Sequence, residues 1–396
     1  MSGEACRGPK HLVLVGGGHA HVFVLEAFAR NPEPGVAITL VAKVRRTPYS
    51  GMLPGHVAGL YPRAAMEIDL APLARAAGAR FIEDEAAGFD AAARAVRLAG
   101  GGALSYDVLS VDIGITPDLS GLPGAAEHGV AVKPIGDFLA KWDHLRAEAL
   151  RPGGPRRIAV VGGGAAGLCL VFAAAASLRR GARDAGLDPA AFAFSLVSAA
   201  APPELNEGMR RQARRALERQ GIGVHAGSPA VAVGPEGIGL ADGGFVPADR
   251  VLVSTQAQAP PVLAASAFAK VEGGFLAVTP TLQTLFHPEV FAAGDCATLV
   301  EHPRPKAGVF AVRQGPPLAR NLRRFLRGEA LEAYLPQARH LLILSTADGR
   351  GIAGRGRWFS YEGRAAWWLK DWIDRRFVRR FHRSGGGSAA QEMDDA

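Results

Sequence analysis

The chain opens with an apolar run that ends in a cluster of glycines. Residues 11–15 (HLVLV) are mostly apolar, and three glycines, 16–18, follow them directly. Residues 21–30 have the spacing of apolar positions that a buried helix shows, and a second apolar run occupies 36–42 (VAITLVA). The order strand, tight turn, helix, strand predicts a unit of a parallel α/β sheet.

The same pattern returns in the middle of the chain. Residues 158–161 (IAVV) precede three further glycines, 162–164, and an alanine-rich helical segment follows them. The second strand of this unit is predicted at 194–198 (FSLVS). Two units at this spacing indicate duplication of a whole domain, since short solenoid repeats have periods of about 20–50 residues.

The remaining segments are predicted to be shorter. Pairs of β-like pieces around a glycine-rich turn are expected at 94–98 with 106–111, and at 238–240 with 250–254. A buried strand is expected at 290–293, a helix at 317–327, and a mixture of strands with a final helix at 331–383. We expect the last residues, 384–396, to be disordered.

Composition limits the classes to which the protein can belong. A length of 396 residues predicts two or three domains, and 48% hydrophobic residues predict a folded chain. Three cysteines are too few for a disulfide framework and favour a reducing, cytoplasmic compartment. We expect no signal peptide, no membrane-spanning run of about 18 apolar residues, no nucleic-acid-binding motif and no metal motif.

The first glycine cluster reads Gly16-x-Gly18-x-x-His21, which is typical of a turn that binds a dinucleotide pyrophosphate at a helix N-terminus. His21 stands where a third glycine is usual, so we expect looser packing of helix on strand. The strand at 36–42 is followed by Lys43, which cannot accept a hydrogen bond from a ribose hydroxyl. The alternative is a glycine-rich turn without a ligand.

The second cluster is a full match to the fingerprint. It reads Gly162-x-Gly164-x-x-Gly167, and its second strand ends at Ser198 without an acidic residue. Nothing at this strand end discriminates NADH from NADPH. The alternative is a degenerate site that has lost nicotinamide binding.

A third element follows the two units. The apolar segment Val290–Ala293 ends in Gly294-Asp295, where a carboxylate can accept hydrogen bonds from a sugar-alcohol chain. Gly294 lets such a chain pass close to the backbone. A Gly-Asp pair is common by itself, but one placed after two nucleotide-type units is much less so.

In this order the three motifs resemble the pyridine nucleotide–disulfide oxidoreductase superfamily of flavoproteins. Four further segments resemble the type II NADH dehydrogenase-like proteins that are fused to, or associated with, selenide, water dikinase. These segments are 49–55 (YSGMLPG), 133–135 (KPI), 306–315 (KAGVFAVRQG) and 370–377 (KDWIDRRF). The resemblance covers roughly residues 11–382.

The resemblance implies an α/β fold with two Rossmann-like three-layer domains and a C-terminal α+β segment. The FAD domain would be discontinuous, 1–130 and 270–330, with the NAD(P)H domain, 131–269, inserted in it. Residues 331–383 would cover the flavin side or contact a partner.

The resemblance also implies roles for individual residues. The expected FAD contacts are Gly16, Gly18, His19, Ala20, Lys43, Ser50, Met52, Gly114, Gly294, Asp295, Gly308 and Val309. The expected NAD(P)H contacts are Gly162, Gly164, Ala165, Gly167 and Ser198, and two lysines, Lys133 and Lys306, are candidates for flavin or acceptor contacts or for solvated surface charges. The helix that begins at Gly308 would direct its N-terminus at the flavin ring, where it stabilises the charge of reduced flavin.

The cysteines restrict the chemistry. Disulfide reductases and sulfide:quinone reductases of this superfamily carry paired cysteines beside the flavin, whereas Cys6, Cys169 and Cys296 fall in different predicted elements. We therefore expect electrons to pass from nicotinamide through flavin directly to a small acceptor, with a quinone favoured. The alternatives are a sulfide:quinone reductase-like enzyme, an accessory flavoprotein of selenium metabolism that contacts selenide, water dikinase, and a membrane-surface scaffold with a vestigial flavin.

The C-terminal helix is rich in Trp and Arg. Between Arg355 and Arg383 there are nine Lys or Arg residues and three Asp or Glu residues, so much of the net charge of +8 lies here. Aromatic rings among basic residues are typical of a helix that lies on an anionic membrane surface, here the inner face of the cytoplasmic membrane. Packing of this helix on the FAD domain or on a second subunit is the alternative.

Overall fold

A computed structural model describes residues 8–255 and 257–384. Cys6 and the predicted tail lie outside this range, except that Ser384 is the last residue of the final helix. The strands and helices of the first third of the chain are β1 Lys10–Val15, α1 His19–Arg30, β2 Val36–Ala42, β3 Arg46–Pro48, α2 Leu53–Val57, α3 Arg63–Met66, β4 Glu67–Asp69, α4 Leu70–Ala76, β5 Ala79–Glu83, β6 Ala86–Asp90, β7 Ala95–Leu98, β8 Ala103–Ser105, β9 Val108–Val111, β10 Thr116–Pro117 and α5 Ala125–His128.

The second third contains the other glycine-rich turn and its sheet. Its elements are β11 Gly129–Ala131, α6 Ile135–Ala149, β12 Arg157–Val161, α7 Ala165–Asp184, β13 Ala193–Ser198, α8 Glu207–Arg219, β14 Ile222–Ala226, β15 Ala230–Gly234, β16 Gly237–Leu240, β17 Phe245–Pro247, β18 Arg250–Val253, β19 Ala257–Gln258 and α9 Pro261–Ala264. The last third contains β20 Leu276–Val278, β21 Gln283–Thr284, β22 His287–Ala292, β23 Ala297–Leu299, α10 Gly308–Arg327, β24 Leu342–Ser345, β25 Gly351–Arg355, β26 Phe359–Gly363 and α11 Arg364–Ser384.

Two sheets carry the glycine-rich turns. The first has the strand order β23-β20-β21-β22-β9-β1-β2-β5, and the second has β11-β18-β12-β13-β14 with every pair parallel. The first sheet takes strands from both sides of the second along the chain, which confirms the predicted class of two Rossmann-like units, one inserted in the other. The domain limits at 130/131 and 269/270 stay a prediction.

The register of the first sheet gathers one functional edge. β9 pairs in parallel with β1 on one side and with β22 on the other. The carboxyl ends of these three strands therefore lie side by side, and each continues into a turn, at Gly16, Asp112 and Gly294. Ligands bind at this edge of open α/β sheets.

The β-like pieces were only partly predicted. The segment predicted at 94–98 forms β7, which pairs antiparallel with β8 across the glycine turn. The segment predicted at 106–111 instead contributes β9 to the eight-stranded sheet, where it pairs in parallel with β1. The same difference recurs in the second unit, where β16 pairs with β17 and β18 joins the parallel sheet. The missed strands β8 and β17 have three residues each, too few for a periodic pattern.

The local pattern predicted a helix at 317–327, whereas the family resemblance implied a helix that begins at Gly308. The observed α10 does begin at Gly308 and has Pro316 and Pro317 inside it. Two prolines favour a helix start because they lack the N–H that a helix interior uses. Packing overrides this preference: a Cβ on Gly315 would lie 2.4 Å from the Phe23 ring, so α10 and α1 approach very closely at this glycine.

The expectation that no apolar run of about 18 residues exists was wrong: one helix of the described chain, α7, is long and apolar enough to cross a membrane by length and composition. Of its apolar window, 72% is buried inside the protein, where the helix packs on β12 and β13. Burial of this extent is typical of a core helix.

Candidate functional site

The first glycine-rich turn is held by backbone geometry that only glycine tolerates. Gly16 has a φ of +101°, and a Cβ there would lie 2.2 Å from the carbonyl oxygen of Asp112. Gly18 precedes α1 as its N-cap residue. The amides of Gly17 and His19 have no hydrogen-bond acceptor in the described part of the chain, so both are available to an anion at the helix N-terminus.

His21 takes the place of the third glycine without leaving a gap. Its side chain is fully buried, with Nδ1 2.7 Å from the carbonyl oxygen of Gly16 and Nε2 2.8 Å from Oγ of Ser110. Burial lowers the pKa of His21 to about 4, and the Gly16 carbonyl opposes this shift. A neutral imidazole therefore fills the space that looser packing was expected to leave.

His19 is the first residue of α1 and contains an unpartnered polar atom. Its Nε2 is buried and has no hydrogen-bond partner. Burial lowers the pKa of His19 to about 4; Asp295 raises it and Lys133 lowers it further. A buried ring nitrogen without a partner indicates that a polar group outside the chain completes this site.

Asp295 lies in a short 3-10 turn, Gly294–Cys296, at the end of β22. Its Oδ2 accepts a 2.9 Å hydrogen bond from Nζ of Lys133, so the structure joins two of the predicted site residues in one ion pair. The side chain of Asp295 is 13% exposed. Its carboxylate can still accept hydrogen bonds from hydroxyl groups, because one carboxylate has about four acceptor positions.

Lys306 lies on the other side of the same turn. Its Nζ donates to the carbonyl oxygen of Ala297 and to Oγ1 of Thr298, both at 2.6 Å, and lies 4.1 Å from the centroid of the Phe275 ring. Burial lowers the pKa of Lys306 to about 8. Lys306 is thus half-buried and is fixed by two hydrogen bonds. Its contact with a flavin or an acceptor stays a prediction.

A cavity connects these groups to the start of α10. It is lined by Gly294, Asp295, Lys306, Phe310 and Gln314, among others. Oε1 of Gln314 accepts a 2.6 Å hydrogen bond from the amide of Gly294, which fixes α10 to the Gly-Asp turn. Ser50 comes to the same place, because a Cβ on Gly308 would lie 3.0 Å from its Oγ.

The C-terminal helix α11 packs against the segment around Ser50. Nζ of Lys370 donates to the carbonyl oxygen of Gly51 at 2.7 Å and pairs with Asp374, which also hydrogen-bonds the Tyr49 hydroxyl. The Tyr49 ring lies 4.3 Å from Phe377 and 5.2 Å from His19, centroid to centroid. One side of α11 therefore packs on the FAD-type unit, as the packing alternative predicted.

The remaining expected FAD residues are spread around this edge. Ala20 is buried in α1, Val309 is the second residue of α10, and Gly114 has a φ of +79° with open space beside it. Met52 is fully buried in the hydrophobic core. Lys43 is exposed at the end of β2 and pairs with Glu85 at 3.1 Å, so an acid does lie at this strand end although β2 does not supply it.

The second glycine-rich turn has the same backbone. Gly162 has a φ of +118°, and a Cβ on Gly167 would lie 1.8 Å from the Gly162 carbonyl oxygen, which explains the third glycine here. The amide of Ala165 donates to Oε1 of Glu204 at 2.9 Å. A Cβ on Gly163 would lie 2.0 Å from Oγ of Ser198, so this serine closes the turn from β13.

The sequence analysis did not identify two residues of the first site, Asp112 and Gln314. Asp112 is 2% exposed, and its Oδ2 accepts from the amides of Ala20 and His21 at 2.7 and 3.1 Å. The sequence did contain a signal for Asp112. It follows a buried strand in an Asp-x-Gly segment, and polar residues at the carboxyl end of a parallel strand often contact ligands. Gln314 had no such signal.

The described residues show neither a disulfide nor a cluster of metal ligands. Cys169 in α7 and Cys296 in the 3-10 turn are both buried and free. Within residues 8–255 and 257–384, no group of three or more His, Cys, Asp or Glu side chains is arranged to hold a metal ion.

Comparisons with known proteins agree with this geometry. The profile of the pyridine nucleotide-disulphide oxidoreductase family matches residues 10–315, so the chain belongs to this family of oxidoreductase enzymes. It is 24% identical to the type II NADH:quinone oxidoreductase of Staphylococcus epidermidis over 295 residues, which is 70% of this chain and 72% of that one. The corresponding Staphylococcus aureus enzyme is 23% identical over 296 residues, with the same coverage.

Solved structures share the fold across nearly the whole chain. NDH2 from Plasmodium falciparum, solved in complex with NADH, has a TM-score of 0.79 at 10% identity and covers 96% of this chain and 98% of its own. The sulfide:quinone oxidoreductase of Aquifex aeolicus has a TM-score of 0.78 at 19% identity, with 97% and 94% covered. Identities this low establish the fold alone.

Proposed function

We propose that this enzyme binds FAD at the first glycine-rich turn and NADH or NADPH at the second, and passes electrons from nicotinamide through flavin to a quinone. One observation carries the proposal. The turn with two free amides, the unpartnered Nε2 of His19 and the Asp295 carboxylate converge at one edge of the first sheet. The relatives' activity as NADH:quinone oxidoreductases supports the choice of donor and acceptor.

The residues present fit FAD chemically. The amides of Gly17 and His19 would hold the pyrophosphate, and Asp295 would accept hydrogen bonds from the ribitol hydroxyls. The N-terminus of α10 at Gly308 would favour negative charge on the flavin ring. Bound flavin supplies the capacity to take up two electrons from a hydride donor and to give them to an acceptor.

The protein's own part is binding, orientation and exclusion of water. The Tyr49–Gly51 segment is fixed between α10 and α11, through Gly308 on one side and Lys370 on the other. Lys133 pairs with Asp295 from the inserted unit, so this contact joins that unit to the site proposed for FAD. We assign no general base, because hydride transfer needs orientation more than proton abstraction.

The test is anaerobic mixing of the purified yellow protein with NADH, with NADPH and with sulfide in separate stopped-flow experiments. Rapid bleaching of the flavin by a nicotinamide, followed by its return on addition of a quinone, supports the proposal. Bleaching by sulfide alone would favour the sulfide:quinone reductase alternative. No bleaching would leave an accessory or scaffold role. The relatives named above do not support the link to selenide, water dikinase, which stays a prediction.

The exposed face of α11 supports contact with a membrane surface. Trp368, Leu369, Trp372 and Ile373 are 61%, 41%, 57% and 38% exposed, and Trp358 in the preceding hairpin is 88% exposed. Arginine side chains lie over Trp358, Trp368 and Trp372. Aromatic rings with basic neighbours suit the headgroup layer of an anionic leaflet, where a lipid-soluble quinone is accessible.

Vesicle sedimentation tests this contact. We expect the full chain to sediment with anionic vesicles at low salt and the double variant Trp368→Ser/Trp372→Ser to remain largely in the supernatant. Phe286→Ser is the matched control, since Phe286 is 88% exposed but lies in the β21–β22 turn. If the full chain itself stays in solution, the membrane contact is wrong.

A further inference from the structure

Asp112 lies between the two motifs that would hold FAD. It follows β9, whose neighbours β1 and β22 lead into Gly16 and Gly294. Its Oδ2 accepts hydrogen bonds from the amides of Ala20 and His21 in the first turn of α1. This carboxyl group therefore caps the same helix N-terminus that a dinucleotide pyrophosphate would approach.

The glycines of both motifs make room for this side chain. A Cβ on Gly18 would lie 2.2 Å from Oδ1 of Asp112, and a Cβ on Gly294 would lie 2.3 Å from the same oxygen. Oδ2 is used by the two helix amides, whereas Oδ1 lies against Gly18 and Gly294 and has no hydrogen-bond partner among the described residues. The Gly-x-Gly and Gly-Asp signals thus describe the surroundings of a third acidic residue.

No cation of the described chain balances the charge of Asp112. Its neighbours from α1 are amides and His21, which burial holds neutral by lowering its pKa to about 4. From the Gly294 turn it is faced by Asp295, which is already paired with Lys133, and by Cys296, whose pKa burial raises to about 12. Burial raises the pKa of Asp112 itself to about 7, its two amide hydrogen bonds oppose this, and Asp295 adds to it.

We propose that Asp112 is a cofactor-binding residue that holds the dinucleotide as a neutral carboxylic acid, with its proton on Oδ1 available to a phosphate oxygen. This inference rests on the proposed binding of FAD at the first turn. A pyrophosphate carries two negative charges, so its arrival beside an ionised, unpaired carboxylate is repulsive, whereas a protonated carboxyl group is a hydrogen-bond donor to it. Binding of FAD then takes up a proton whenever Asp112 is ionised beforehand.

The sign of the pH dependence follows. Below about pH 7 Asp112 is already protonated in the free protein, so the affinity for FAD is constant. Above that pH the affinity falls, by up to tenfold for each pH unit, until the pKa of the bound state is reached. Proton uptake on binding is only about 0.1 per FAD at pH 6 and approaches one per FAD at pH 8 to 9.

The first experiment measures FAD release from the full chain on dilution, by flavin fluorescence, between pH 6 and pH 9. The variant is Asp112→Asn, which keeps an acceptor for the helix amides and cannot ionise. We expect its FAD affinity to be similar to that of the parent at pH 6, independent of pH, and at least tenfold tighter than that of the parent at pH 9. The control is Asp69→Asn, because Asp69 also accepts from an amide at a helix N-terminus, that of Ala71 in α4, but is partly exposed and paired with Arg45.

Several results overturn the inference. These are an equal pH dependence in parent and Asp112→Asn, a loss of FAD by the variant at every pH, and an altered pH dependence in Asp69→Asn of the same size. Calorimetry of FAD rebinding to the stripped parent, in two buffers of different ionisation heat, needs no variant and overturns it if no proton is taken up at pH 8. A full chain that binds no FAD at any pH contradicts the proposed function instead.

Discussion

The two glycine-rich turns have one backbone and different acids. Gly16 and Gly162 both have positive φ. A Cβ on Gly16 would lie 2.2 Å from the carbonyl oxygen of Asp112, and a Cβ on Gly162 would lie 2.1 Å from that of Ser254, so either would collide with the residue that follows the neighbouring strand. In each turn a carboxylate accepts from amides at the helix N-terminus, from Asp112 in the first and Glu204 in the second. The shared fingerprint therefore specifies the turn, and other parts of the chain supply the electrostatics.

Asp112 and Glu204 differ in how easily each side chain can move away from the helix N-terminus that it caps. Asp112 is buried at a strand end inside the sheet edge, whereas Glu204 is exposed on a loop and is free to rotate into solvent. A ligand at the second turn can displace its acid, and a ligand at the first turn must bind beside it. This difference matches the proposed roles, a cofactor that stays bound at the first turn and a nicotinamide that exchanges at the second.

The largest expected effect comes from placing a side chain in each turn. Gly18→Val collides with the buried Asp112 carboxyl group, and we expect FAD affinity to fall on the order of 100-fold, leaving colourless protein. Gly164→Val meets only the flexible end of Glu204 at 3.2 Å, so FAD should stay bound while reduction by NAD(P)H is lost. Absorbance spectra and anaerobic reduction measure both. Reduction of Gly164→Val at the parent's rate would show that nicotinamide binds elsewhere.

Removal of the Gly-Asp carboxylate should have a smaller effect. Asp295→Ala leaves ribitol hydroxyls and Nζ of Lys133 without an acceptor, so FAD binding should weaken by about 1–3 kcal/mol, or roughly 5- to 150-fold in Kd. Lys133→Met is the companion variant, because it frees Asp295 and leaves its acceptor oxygens in place. A loss of FAD in Lys133→Met as large as that in Asp295→Ala would mean that the ion pair, rather than the carboxylate, holds the cofactor.

Neutralising the exposed acid tests the comparison directly. Glu204→Gln removes a negative charge at the N-terminus of α7, so the Kd for NADH should fall by about two- to fivefold at low salt. The difference should disappear at high ionic strength, because exposed charges are screened. Titration of flavin-bound protein with NAD⁺ or a non-reducing analogue measures it. Weaker nicotinamide binding in the variant would mean that Glu204 is a ligand contact and not a displaceable cap.

The sequence predicted the turns because their glycines are required by backbone geometry, which a local pattern records. It also predicted the strands beside these turns, since apolar runs of four to seven residues lie in β1, β2, β12, β13 and β22. It did not predict Asp112, because the Asp-x-Gly after β9 is a local signal that does not show whether β9 lies between β1 and β22. That neighbourhood is set by the sheet order, which depends on the whole fold.

The same distinction applies to helices and to single residues. His21 was expected to loosen the packing, but its imidazole bonds Gly16 and Ser110, which are partners that only the folded sheet brings within reach. In the local pattern Pro316 and Pro317 concealed the first part of α10, whose start at Gly308 only the family resemblance implied. The contact of Gly315 with Phe23 that overrides the prolines is non-local. For α11, the sequence left membrane contact and packing open, and the structure gives the helix one packed and one exposed face.

The smallest effect is expected from the two described cysteines, Cys169 and Cys296. Cys296 is fully buried, its Sγ lies 3.2 Å from the carbonyl oxygen of Ala293, and serine can donate the same hydrogen bond. Cys169 is buried in α7, and burial raises the pKa of its thiol, which opposes the reactive thiolate form. We expect Cys169→Ser and Cys296→Ser to lose about 1 kcal/mol of stability each and to keep quinone reduction within about twofold of the parent.

Thermal unfolding and steady-state turnover measure the two quantities on the same samples. Loss of turnover in Cys169→Ser, with FAD still bound and still reduced by NADH, would place a cysteine in the electron path and move the sulfide-type chemistry ahead of direct transfer to the acceptor.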